Sequence, residues 1–134
     1  MTTVLVVDDS AMDRRLAGGL VQKNTDFSVL YAIDGDDALE QIESHLPDLV
    51  ITDLQMPRKN GLEALKDIKA HPRLRLIPVV ALSTSSAEED IRAAYDLGIN
   101  AYVKKPVGFV LFAEAMEAVY NFWFKLAKRA VEET

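Results

Sequence analysis

The sequence predicts an α/β fold: a doubly wound, five-stranded parallel sheet with five helices. Two observations carry that expectation. Short apolar runs alternate with stretches of helical spacing, and strands that alternate with helices pair in parallel through crossovers. The apolar runs are also continuous rather than alternating, as strands covered on both faces require.

Taken in order, Thr3–Val7 is a strand-like run, and Ala11–Lys23 is helical with Met12, Leu16 and Leu20 on one face. Gly18-Gly19 falls inside that helix, where each glycine costs roughly 1 kcal/mol against alanine. Ser28–Ala32 is a short strand, and Gly35–His45 a helix turning Ala38, Leu39 and Ile42 inward. Asp48–Thr52 is a strand, followed by a helix over Gly61–Ala70 carrying Leu62, Leu65 and Ile68. Ile77–Leu82 is β-branched and apolar; Ala87–Leu97 is helical and stops at Gly98, a C-terminal cap. Ala101–Val103 is a brief strand, and Phe109–Arg129 a long last helix. Its core stripe is Phe109, Phe112, Met116, Val119, Trp123 and Leu126. Leu111, Ala115, Ala118 and Phe122 form a second stripe, with Phe124 on another side. The four methionines read as core filler, and His45 and His71 as surface residues at helix ends.

At 134 residues and 49% hydrophobic, the chain fits one domain with a sizeable core, and no repeat or internal linker divides it. No run approaches the ~20 apolar residues of a membrane span, and the start lacks the basic character of a signal peptide. Zero cysteines exclude disulfides and thiolate metal sites and suit the cytoplasm. A net charge of -6 argues against nucleic acid as the main partner, since a phosphate backbone rewards concentrated Lys and Arg.

In sheets of this kind ligands sit outside the carboxyl ends of the strands. The first strand exits there into Asp8-Asp9, the third into Asp53, the fourth into Ser83-Thr84 and the fifth into Lys104-Lys105-Pro106. Three carboxylates, a hydroxyl and an ammonium are thus expected at one rim. Like charges so close cost free energy unless a cation joins them, and a hard, oxygen-seeking ion such as Mg2+ suits carboxylates. Lys105 and Ser83 then serve an anion beside the metal. Alternation along the strand turns Lys104 away. Each residue also has a plainer reading: Asp8 or Asp9 as a helix cap, Asp53 as the start of a turn, Ser83-Thr84 as another cap. Their convergence favours a site.

With Asp8-Asp9 after "VLVV", Asp53 ahead of Met56-Pro57 and Gly61, Ser83 after "PVVAL" and Lys105-Pro106 after "AYV", the whole chain resembles the receiver domain of bacterial response regulators. The resemblance implies a flavodoxin-like strand order, 2-1-3-4-5. It implies Asp53 as the phosphoacceptor, and Asp8, Asp9, Asp53 and the Gln55 backbone carbonyl as ligands of Mg2+, with Mn2+ as an alternative. Ser83, the Thr84 backbone and Lys105 would take the phosphoryl oxygens, and Ser83 with Tyr102 would form the switch. The resemblance also implies that the Lys105-Pro106 bond is commonly cis. Met56-Pro57 and Asn60-Gly61 supply the sharp turn after the acid. Thr84 stands where the family more often has Ala or Gly, which narrows access to the phosphate, and Gly18-Gly19 is either a close packing point or a docking surface for the kinase.

The implied partners are a sensor histidine kinase or histidine phosphotransfer protein, a downstream protein target, and a second copy through the last helix; no membrane or nucleic acid is expected. The domain would be a single receiver over residues 1–134, with no output domain and only weak self-phosphorylation and autophosphatase chemistry. A dehalogenase-type phosphatase would need Asp-x-Asp, where this chain has Asp53-Leu54-Gln55. A flavin binder would need a phosphate-cradling loop after the first strand.

Overall fold

The computed structural model describes residues 3–24, 28–54, 61–72 and 74–126. Five strands, β1 (Thr3–Val7), β2 (Ser28–Ala32), β3 (Leu49–Asp53), β4 (Val79–Ser83) and β5 (Ala101–Lys104), form one parallel sheet in the order β2-β1-β3-β4-β5. The helices are α1 (Ala11–Asn24), α2 (Gly35–His45), α3 (Gly61–Ala70), α4 (Glu88–Asp96) and α5 (Phe109–Asn121), with a 3-10 turn at Leu74–Leu76. The doubly wound architecture is as expected. Strand ends move by a residue or two: β3 and β4 run on to Asp53 and Ser83, so both side chains are held by ladder geometry.

Every residue of β3 and β4 is buried, which explains the apolar runs over residues 49–51 and 79–82 that lead to their polar ends. Successive side chains serve opposite layers. On one face Leu5, Val7, Val50, Val79 and Ala81 meet Ala38 and Ile42 of α2, Leu65 and Ile68 of α3, and Ala94 of α4. On the other, Val4, Val6, Leu49, Ile51, Val80 and Leu82 meet Ala17 of α1 and Phe112, Met116, Val119 and Tyr120 of α5. Burying each large side chain contributes roughly 1.5–3 kcal/mol.

Local chemistry sets the helix ends. The Asp34 carboxylate accepts the Asp37 N–H at 2.9 Å and caps α2. Gly98, with φ of 104°, takes the left-handed conformation that closes α4, as expected from sequence. Gly18 is a packing glycine: a Cβ there would overlap the end of the Tyr31 side chain, whereas one on Gly19 would meet nothing.

Three expectations are corrected. Met12, in the first turn of α1, is not core filler but 72% exposed. Met116 is fully buried, and Met1 and Met56 lie outside the described residues. The last helix is not uniformly α: α5 ends at Asn121 and passes into a π turn over Phe122–Leu126, and residues 127–129 lie outside the described residues. Through that turn both Trp123 and Phe124 pack against the core, so Phe124 does not stand apart. The second stripe is exposed at Leu111 (56%) and Phe122 (51%).

Candidate functional site

The carboxyl ends of β1, β3, β4 and β5 meet at one rim. Asp8 leaves β1 and is buried, while Asp9 beside it is exposed. Asp53 ends β3, also buried, and its register partner on β4 is Leu82. Ser83, next in line, is buried and pairs with Lys104 on β5. Carboxylate oxygens of Asp8, Asp9 and Asp53 lie within 4.8 Å of one another.

Lys105 is the cation inside this cluster. Its Nζ lies 2.9 Å from Asp8 Oδ2, 2.6 Å from Asp13 Oδ2 and 3.7 Å from Asp53 Oδ2, with the side chain 12% exposed. Its backbone N–H donates to the Ser83 carbonyl at 2.7 Å, which fixes where the side chain starts. Burial by itself would lower the ammonium's pKa. Hydrogen bonds to Asp13 and Asp8, with the charges of Asp8 and Asp53, outweigh it and hold the group above its ordinary range. The Lys105-Pro106 bond is trans.

Neighbouring groups hold the acids. Asp8 Oδ1 accepts the Ser10 N–H at 2.9 Å, and the Asp8 carbonyl accepts from Arg14 Nη1 at 2.6 Å. Ser10, not Asp8 or Asp9, caps α1: its Oγ accepts the Asp13 N–H at 3.3 Å. The Thr52 hydroxyl donates to the Asp53 carbonyl at 3.0 Å. Ser83 Oγ accepts the Ser85 N–H at 3.1 Å, and the Tyr102 hydroxyl donates to the Ser85 carbonyl at 2.9 Å. Neither Ser83 nor Thr84 caps α4; Ser85 faces its first turn instead, accepting from the Ala87 N–H and donating to Asp90.

Of the residues named from sequence, Asp8, Asp9, Asp53 and Lys105 stand together. Ser83 and Tyr102 are joined through the Ser85 backbone, Thr84 is exposed next to Ser83, and Gln55 lies outside the described residues. Lys104 is exposed, and so are His45 and His71. Asp13 was missed. Only strand ends were read for the site, and an acid in the first helical turn looks like an ordinary partner of the helix dipole. Its place in the first turn of the helix that follows Asp8-Asp9 was the available signal.

Chemically, the donor set is hard oxygen around a point where a fixed ammonium already balances negative charge. That set fits a small divalent cation beside an anionic group.

Residues 4–117 match the family model described as response regulator receiver domain. The chain is 34% identical over 130 residues to response regulator Rcp1 of Synechocystis sp., a match covering 91% of this chain and 88% of that protein. The crystal structure of Rcp1 in its Mn2+-bound form superposes with a TM-score of 0.89 at 30% identity, covering 98% of this chain and all of the other. The phosphorylated cyanobacterial phytochrome response regulator RcpA superposes with a TM-score of 0.90 at 33% identity, covering 97% and 99%. The fold, the strand order and these matches agree: the chain belongs to the response regulator receiver domains of two-component signalling.

Proposed function

We propose that the chain accepts a phosphoryl group on Asp53 from a phosphohistidine, supplied by a sensor histidine kinase or a histidine phosphotransfer protein. A carboxylate oxygen of Asp53 forms the new bond to phosphorus as the phosphorus–nitrogen bond breaks, and the leaving imidazole recovers a proton from water. The observation that carries this reading is the cluster of Asp8, Asp9 and Asp53 around the ammonium of Lys105. Little covalent chemistry is asked of the protein in such a transfer, so positioning and charge neutralisation supply most of the catalysis.

Asp8, Asp9 and Asp53, with the Gln55 carbonyl, are the residues that would hold Mg2+ or Mn2+; the relative Rcp1 has been crystallised with Mn2+. When bound, the ion supplies positive charge opposite the transferring oxygens. Lys105 takes another phosphoryl oxygen by a charge-assisted hydrogen bond, and Ser83 with the Thr84 backbone takes the rest. Water attack on the acyl phosphate then gives a weak autophosphatase activity, slowed by the methyl-bearing Thr84.

The signal leaves as a changed surface. Ser83 drawn toward phosphate pulls on the loop to which Tyr102 is bonded, and this reshapes the face of α4 and β5 for a downstream protein target. The exposed apolar side of α5 and the π turn, at Leu111 and Phe122, supports a second contact, an isologous homodimer. The reading places the protein in the cytoplasm with its kinase.

Acetyl phosphate tests the reading. Intact-mass spectrometry should find one added phosphate on the wild type only when Mg2+ or Mn2+ is present, and none on Asp53→Asn. Equal modification of both proteins would sink it.

A further inference from the structure

We propose that Asp13 is a positioning residue that competes with the phosphoryl group for Lys105, easing entry of the cation while weakening the hold on the anion. The proposal rests on the phosphoacceptor reading and adds a residue which that reading leaves out. Its basis is the order of distances: Lys105 Nζ is nearest to Asp13 Oδ2 at 2.6 Å, then Asp8 at 2.9 Å, then Asp53 at 3.7 Å. An ammonium has three hydrogens, and the two shortest contacts direct two of them away from Asp53. The carboxylate is well anchored. The Asp13 N–H donates to Ser10 Oγ, and the Ser10 N–H donates to Asp8 Oδ1, so the entry to α1 presents both acids to the lysine as one unit.

Two consequences of opposite sign follow. A cation entering among Asp8, Asp9 and Asp53 must share Asp8 with Lys105. Asp13 offsets the lysine's charge and keeps a partner for it when Asp8 turns to the metal, so it favours the cation. An anionic group on Asp53 needs the ammonium for itself. Asp13 holds that ammonium back and places a like charge nearby, so it disfavours the anion. A carboxylate that merely steadied the first turn of α1 would not move the two affinities in opposite directions.

The whole chain is compared as wild type, Asp13→Asn and Asp13→Glu. Mg2+ affinity is measured by calorimetry without a phosphodonor, and beryllofluoride affinity by NMR at saturating Mg2+. Asp13→Asn should weaken Mg2+ binding about fivefold and tighten beryllofluoride binding about fivefold, the scale of one partly exposed ion pair. Asp13→Glu keeps the charge and should stay close to wild type on both. Unchanged affinities in Asp13→Asn, or both moving in the same direction, would overturn the proposal. If Asp13→Asn does not fold, Asp13→Ser carries the same expectations and the same refutations. A wild type that binds Mg2+ but never beryllofluoride would overturn the phosphoacceptor reading, and with it the competition proposed here.

Discussion

The hydroxyl of Tyr102 donates to the carbonyl of Ser85 at 2.9 Å, tying β5 to the loop that follows Ser83. The Ser85 N–H in turn donates to Ser83 Oγ, so a shift of either side chain is felt by the other. Beryllofluoride with Mg2+ should therefore change the environment of Tyr102, read by NMR. Tyr102→Phe should cost about 1 kcal/mol of stability, the net worth of one hydrogen bond, and still allow phosphate onto Asp53. An identical Tyr102 environment with and without beryllofluoride would remove this switch.

Lys105 is expected to stabilise the metal-free fold by neutralising Asp8 and Asp13. Lys105→Met should lower stability by about 2 kcal/mol in metal-free buffer, with Mg2+ restoring part of it. The pH dependence has a definite sign. The folded-state pKa is raised, so the contribution is complete below the ordinary lysine pKa of about 10.4 and is lost as pH rises through the higher folded value. Denaturant titrations above about pH 10.4 should show wild type losing more stability than Lys105→Met. The opposite slope would show that the lysine is not held by the acids.

Asp9 is exposed, and its carboxylate lies within 4.8 Å of those of Asp8 and Asp53. Asp9→Ala should weaken Mg2+ binding and leave the metal-free protein as stable as wild type or slightly more so. A large drop in melting temperature without metal would instead make Asp9 a structural residue.

Gly18 and Gly19 separate by their surroundings. Gly19→Ala enters open space and should gain up to about 1 kcal/mol of helix propensity. Gly18→Ala must displace the Tyr31 ring and should lose stability in wild type, yet gain it in a Tyr31→Ala background. Equal effects at both glycines in wild type would show that Tyr31 does not constrain Gly18.

Phe122→Glu tests the homodimer on the exposed side of α5 and the π turn. It should give a folded monomer by sedimentation at micromolar concentration, still phosphorylated on Asp53. A wild type that is monomeric there, with and without beryllofluoride, would rule the dimer out.

Much of this was legible in sequence because two-sided burial keeps β3 and β4 largely apolar up to Asp53 and Ser83, with Thr52 the one polar residue before either. A functional group at the end of such a run stands out. What was less legible depends on where helices run past the sheet. Met12 has apolar spacing, yet its side chain is exposed. Tyr120 is buried although it lies outside the expected stripe, and the helix changes pitch at Phe122. Asp13 pairs with Lys105, distant in sequence, and only the folded arrangement brings the two together.

The most direct test of the account is chemical identification of the phosphorylated residue. Borohydride reduces an acyl phosphate of aspartate to homoserine, which peptide mass spectrometry can place on the chain. After treatment with acetyl phosphate and Mg2+, then borohydride, homoserine is predicted at position 53 alone. Homoserine at position 8, 9 or 13 instead of 53, or phosphate found only on serine, threonine or histidine, would contradict the assignment of Asp53 as the acceptor.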